Sequence, residues 1–131
     1  MTVGLSTVNL ANNWLNMLGG TAFPSAPTLT AIKLYVADPG AAGLGTASAG
    51  DTTRKTVTWS AASGGSKAMS SMSGGWTNGG TSETLSHIGA WDSTTAGNFL
   101  FSAALTGTQA WASTNTFSLT SLSISLTPLA A

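Results

Sequence analysis

The residues of this chain able to move protons near neutral pH are few: one histidine, His87, and four carboxylates, Asp38, Asp51, Glu83 and Asp92. A hydrolytic triad needs a serine beside His87 and a carboxylate orienting its ring. Serine is so abundant here that finding one nearby carries no information. No Gly-x-Ser-x-Gly elbow occurs, and Gly64-Gly65-Ser66-Lys67 lacks the full phosphate-loop spacing, so it reads as a turn. Asp51, Glu83 and Asp92 could supply the carboxylate pair of a glycosidase, but they form no dense acidic cluster. The absence of cysteine removes disulfides, thiolate nucleophiles, zinc ribbons and iron–sulfur ligation together, and no Asp-x-Asp-x-Asp calcium loop is present. The expectation is a protein without enzymatic activity, cofactor or metal. His87 is then a half-buried strand histidine bonded to a neighbour. Asp38 and Asp92 accept backbone amides at the turns they open, and Arg54-Lys55 pairs with Asp51 or Asp92.

Aromatic faces are the other candidate chemistry, because they stack on sugars. Trp14, Trp59 and Trp91 fall in helix or strand patterns where large rings fill a core. Trp76, on a glycine-rich segment, and Trp111, between alanines, are the candidates for a glycan platform. Burial in the core or a subunit interface is the preferred reading for both.

The elements that must position these residues are mostly strands. Leu5 to Leu18 is expected to form a helix, with Val8, Ala11, Leu15 and Leu18 on one stripe and Leu10, Trp14 and Met17 on an adjacent one. Ser6 or Thr7 caps its start, Gly19-Gly20 ends it, and Asn9, Asn12, Asn13 and Asn16 fill the remaining face. Strands are predicted at Ala31 to Ala37, Arg54 to Ser60, Lys67 to Ser73, Thr84 to Trp91 and Phe99 to Thr106. On the fourth, Leu85, His87 and Trp91 are placed on one side and Ile88 and Ala90 on the other. The Ala41 to Gly50 segment is expected to be flexible, and Gly74 to Gly80 irregular. Within Ser113 to Thr127 the apolar residues slip from odd positions (Phe117, Leu119) to even ones (Leu122, Ile124, Leu126), which predicts a bulge or bend near Thr120-Ser121. Pro128 is expected to end pairing. The pattern predicts a mainly β fold: one antiparallel sandwich or barrel-like domain over 1–131, with an N-terminal helix at about 5–18 and a β region at about 31–127.

Ser, Thr and Gly supply 55 of the 131 residues, while four Lys/Arg balance four Asp/Glu to a net charge of zero. Charged residues are 6% of the chain, against about 25% in an average domain. That excludes a basic nucleic-acid footprint. At 42% hydrophobic the chain is too apolar for a disordered linker. No apolar run reaches the ~18 residues of a membrane span, and the first cation is Lys33, so neither membrane insertion nor a signal peptide is expected. The chain is expected to be made in the cytoplasm and to stay soluble. A surface this poor in charge implies that much of the exterior is buried against copies of the chain or other proteins. Hydroxyl groups alone keeping a monomer soluble is the bland alternative. Asn9, Asn13 and Asn16 on the helix, Trp76 and Asn78 in the glycine-rich segment, and Trp111 are the interface candidates.

The ordered segments Asn13-Trp14-Leu15-Asn16-Met17-Leu18-Gly19-Gly20-Thr21-Ala22-Phe23, Leu34-Tyr35-Val36-Ala37-Asp38-Pro39-Gly40, Arg54-Lys55-Thr56-Val57-Thr58-Trp59 and His87-Ile88-Gly89-Ala90-Trp91-Asp92, followed by Gly97-Asn98-Phe99-Leu100, resemble a family of small tailed-bacteriophage virion proteins. Its members are labelled tail fibre or minor tail protein, and related small proteins decorate heads. The resemblance implies a structural virion component without enzymatic activity or cofactor, assembled in the host cytoplasm. Because 131 residues make a globule only about 30 Å across, the reading favoured from sequence is a capsid decoration or cement protein bound to the major capsid protein and to its own copies. A minor tail or tail-tip protein that contacts host glycans is the alternative.

Overall fold

The computed structural model describes residues 3–126. Its strands are β1 (Ala31–Tyr35), β2 (Lys55–Trp59), β3 (Ser66–Met72), β4 (Trp76–Thr77), β5 (Glu83–Trp91), β6 (Phe99–Trp111), β7 (Thr116–Phe117) and β8 (Ser123–Ser125). A π-helical turn, Thr7–Ala11, and a short helix α1, Asn12–Leu18, precede them. Six strands form one curled antiparallel sheet in the order β6-β5-β1-β2-β3-β8, and β4 pairs with β7. The fold is mainly β with one short N-terminal helix, as the strand patterns predict.

Alternation in β1 explains its central place. Ile32 and Leu34 face the interior, where Val57, Leu85, Ile88, Ala90, Leu100 and Phe101 close around them. The opposite face of β1 carries Lys33 and Tyr35, so Ala31, Ile32, Leu34 and Tyr35 are all buried although alternate residues point to opposite sides. On this second face Tyr35, Trp91 and Phe99 form a small aromatic cluster, with Trp91 and Phe99 edge to face at 5.4 Å. Two close approaches seal it. Gly89 lies where an added Cβ would be 2.7 Å from Tyr35 Cε2, and the Tyr35 hydroxyl donates to the Gly43 carbonyl at 2.9 Å.

The Ala41 to Gly50 segment is therefore tied down rather than loose. Val36 N donates to Thr46 O at 3.1 Å and Ser48 N to Leu34 O at 3.0 Å, continuing the β1 ladder where β2 leaves it. The Glu83 carboxylate, weighed from sequence only as a glycosidase candidate, anchors the segment by accepting from the Ser48 hydroxyl and from Ala49 N at 3.1 Å. Composition reports backbone freedom; the partners that remove it come from distant strands.

Three other expectations are corrected. Gly74 to Gly80 is not wholly irregular, since Trp76 and Thr77 pair with Phe117 and Thr116. Strand β6 runs past Thr106 to Trp111 because residues 105–108 bulge opposite Ser86 alone, the register passing from His87↔Ala104 to Leu85↔Gln109. The same irregularity turns Leu85 into the core with Ile88 and Ala90, not onto the side of His87 and Trp91. The odd-to-even slip does mark a break between strands: β7 pairs with β4, and β8 pairs with β3. Thr127 and Pro128 lie outside the described residues.

Arg54 staples the hairpin loop between β5 and β6. Its guanidinium stacks 3.7 Å from the Trp91 ring centre and donates to the carbonyls of Ser93 at 2.9 Å and Thr95 at 3.1 Å, as well as to that of Ala96. Asp92 accepts Asn98 N at 2.6 Å across the same loop. Removing the guanidinium leaves carbonyls unpaired and exposes the indole face. Arg54→Ala is expected to cost about 2 kcal/mol, read as a lower urea midpoint with an unchanged slope.

Candidate assembly interface

The N-terminal segment carries no charged residue before Lys33. Gly4 to Ser6 lie along the edge of β6, with Ser6 N donating to Leu100 O at 2.6 Å and Ser102 N to Gly4 O at 2.9 Å. The Ser6 hydroxyl then accepts Asn9 N and caps the turn. In that turn Ala11 N reaches back to Ser6 O at 2.9 Å, one residue further than an α-helix would. The wider turn changes the phase of α1. Leu10 packs on the core and Trp14 is half-buried, whereas Val8, Leu15 and Leu18 are 75%, 67% and 81% exposed. The stripe that sequence periodicity puts first is thus the outward one, while on the adjacent stripe Leu10 of the π turn packs on the core, Trp14 is half-buried and Met17 stays exposed.

Beside the helix lies a groove of about 410 Å³, lined among others by Leu5, Leu10, Trp14, Leu29, Phe101, Ile124 and Leu126. A second cavity of about 410 Å³ lies between β6 and residues 119–123, lined among others by Met69, Ile88, Leu105 and Leu122. Both openings sit between β6 and the segment leading into and out of β8, where the curled sheet does not pair its two edges.

The six interface candidates separate into two groups. Asn9 anchors the helix by donating Nδ2 to Phe99 O at 2.9 Å. Asn13 Nδ2 points along its own helix to Asn9 O at 3.3 Å, and Asn16 is exposed beside the outward stripe. Trp76, Asn78 and Trp111 are instead enclosed by the chain itself. Trp76 packs on Phe117 and donates Nε1 to Thr53 O at 3.0 Å. Asn78 Nδ2 donates to Trp111 O at 2.8 Å and to Thr81 O at 3.1 Å, its Oδ1 accepts Gly80 N at 2.9 Å, and Trp111 Nε1 donates to Asn115 O at 2.9 Å. As interface candidates these three are corrected to internal residues: their polar atoms close the turns around β4 and β7, and neither indole leaves a face for a partner. Of the readings weighed for Trp76 and Trp111, burial in the core or a subunit interface against a glycan platform, the geometry matches burial in the chain's own core.

Most of the titratable groups have structural partners, although Asp38 Oδ2 is buried without one. His87 Nδ1 is bonded to the hydroxyl of its neighbour Ser86 at 2.7 Å, and among the described residues no carboxylate bonds or pairs with its ring. Lys55 pairs with Asp51 at 3.6 Å, one of the two pairings expected of Arg54-Lys55. Partial burial works against ionisation of Asp51, but the Thr53 hydroxyl and amide, Lys55 and the Thr77 amide outweigh it and hold the carboxyl below its ordinary range. Burial pushes the Lys33 ammonium down, with Arg54 adding to the effect. Asp38 accepts Gly40 N at 2.8 Å, the turn role assigned to it. Among the described residues the Ser86–His87 pair therefore lacks the carboxylate that would orient the ring in a hydrolytic triad. Sequence reasoning missed Val8, Leu15 and Leu18 as exposed residues. Their signal was an apolar helix with no charge on any face, a pattern that fits a partnered helix better than a solvated one.

A charge-poor curled sheet, with most of its loop-forming polar side chains bonded within the chain and an apolar helix face left open, fits a structural protein that meets other proteins. The chain belongs to the family described as podophage GP4 fiber I protein gp80, which matches residues 4–127. It is accordingly a structural component of a tailed-phage virion, associated with other virion proteins. No curated protein matches the chain.

Proposed function

We propose that the chain serves as a subunit of a phage tail fibre, attached through the outward face of α1 to a neighbouring virion protein. The fibre description of its family supports this reading over the capsid decoration expected from sequence. Chain length had argued against a fibre, but a fibre can be assembled from short subunits. The observation that carries the attachment is the stripe Val8, Leu15 and Leu18, which leaves three large apolar side chains in water on a segment without charge. Contact with host glycans through Trp76 or Trp111 has no support, since both rings are enclosed.

The double variant Leu15→Asp/Leu18→Asp tests the attachment. Both side chains already face solvent, so circular dichroism and melting temperature are expected to stay within error of wild type. Incorporation into particles, read by immunoblot of purified virions, is expected to fall at least tenfold; wild-type incorporation would remove the stripe as the attachment face. Immunogold labelling of wild-type particles locates the protein, and label over the capsid rather than the tail would overturn the fibre assignment.

A further inference from the structure

We propose that the groove beside α1 is a binding site for an anionic amphiphile, a hydrocarbon chain ending in a carboxylate or phosphate. Protein interiors close to crystalline density, and an opening of about 410 Å³ is far larger than a packing defect. It falls within the range of small-ligand pockets, roughly 300–1,000 Å³. Its walls are almost wholly hydrocarbon: Leu5, Leu10, Trp14, Leu29, Phe101 and Ile124 contribute no polar side-chain atom except the Trp14 indole nitrogen. Water in such a space finds few partners, whereas an alkyl chain gains about 25 cal/mol for each Å² it buries.

The head group is set by the one charged residue in the lining, Lys67. Its ammonium donates to Ser60 O at 2.9 Å, which uses one of three donors, and among the described residues no carboxylate pairs with it. Lys67 lies on β3 opposite Ile124 of β8, so its side chain leaves the sheet on the face that this wall residue occupies. A cationic head would be repelled there, and a neutral alcohol would gain only burial. A carboxylate or phosphate gains charge-assisted hydrogen bonds as well. The attachment stripe of α1 takes no part, so the two proposals stand separately.

Trp14 supplies the readout. Titration of the purified chain with decanoate is expected to give a saturable change in tryptophan emission that is lost in Trp14→Phe. Lys67→Ala is expected to weaken binding about tenfold, Lys67→Arg to retain it, and decanol to bind about tenfold more weakly than decanoate. Lys67 is half-buried on β3, and melting curves of both variants check folding independently. Absence of a saturable response would overturn the site. So would equal affinity for decanol and decanoate, an unchanged Lys67→Ala constant, or a stable dimer by sedimentation that decanoate cannot dissociate. Given decanoate binding, co-sedimentation with phosphatidylglycerol vesicles but not phosphatidylcholine vesicles supports a bilayer lipid as the source; no co-sedimentation supports the free amphiphile.

Discussion

Trp76→Ala is expected to destabilise the protein by about 4 kcal/mol, the largest effect of any single truncation proposed for this chain. The Trp76 side chain is 0% exposed, packs against Phe117 with the rings tilted by 37° and their centres 6.1 Å apart, and donates Nε1 to Thr53 O. Truncation removes the burial of a large ring and leaves a cavity between the β4–β7 ribbon and the main sheet. It also strands a carbonyl. Against a typical stability of about 5–15 kcal/mol, the variant would be marginal at 37 °C. Thermal melting and urea unfolding both read this. A shift below 1 kcal/mol would mean that the ribbon is not packed on the core, returning Trp76 to the surface. Trp76→Phe keeps most of the ring and is expected to recover about half of the loss.

Gly43→Ala is expected to cost about 3 kcal/mol, although it adds only one methyl group. Gly43 has φ +70°, where an L-residue loses about 1–2 kcal/mol, and its Cβ would sit 2.8 Å from Phe99 Cγ and 2.8 Å from Trp91 Cζ2. Overpacking of that kind costs about 1–3 kcal/mol. The loop must lift, taking with it the carbonyl that accepts the Tyr35 hydroxyl. Gly64→Ala is the matched control: φ there is +55° with open space around the Cβ, so only the backbone penalty remains. Equal melting shifts for the two variants would show that the Gly43 loop does not rest on the aromatic cluster.

Much of the β layout was legible in the sequence because strand signals are local. Ile32, Leu34 and Val36 alternate with polar or aromatic neighbours, and Phe117 to Leu126 changes phase where two strands meet different partners. Turn roles for Asp38 and Asp92 were legible for the same reason, since each bonds an amide within a few residues. The pairing of Trp76-Thr77 with residues 116 and 117 was not, because a two-residue ribbon has no periodicity to read. Nor was the docking side of the helix. Two apolar stripes differ by less than one helical turn, and the π turn that selects between them depends on Ser6 being held to Leu100 on β6.

The sequence by itself determined a chain of zero net charge, without cysteine, mainly β and with a short N-terminal helix, since composition and alternation need no knowledge of distant contacts. The tertiary structure alone decided which apolar residues remain in water. Whether Trp76 lines the surface or the core, and whether Val8 or Leu10 faces the sheet, depends on contacts across tens of residues, where a single bulge or widened turn rotates every later side chain to another side.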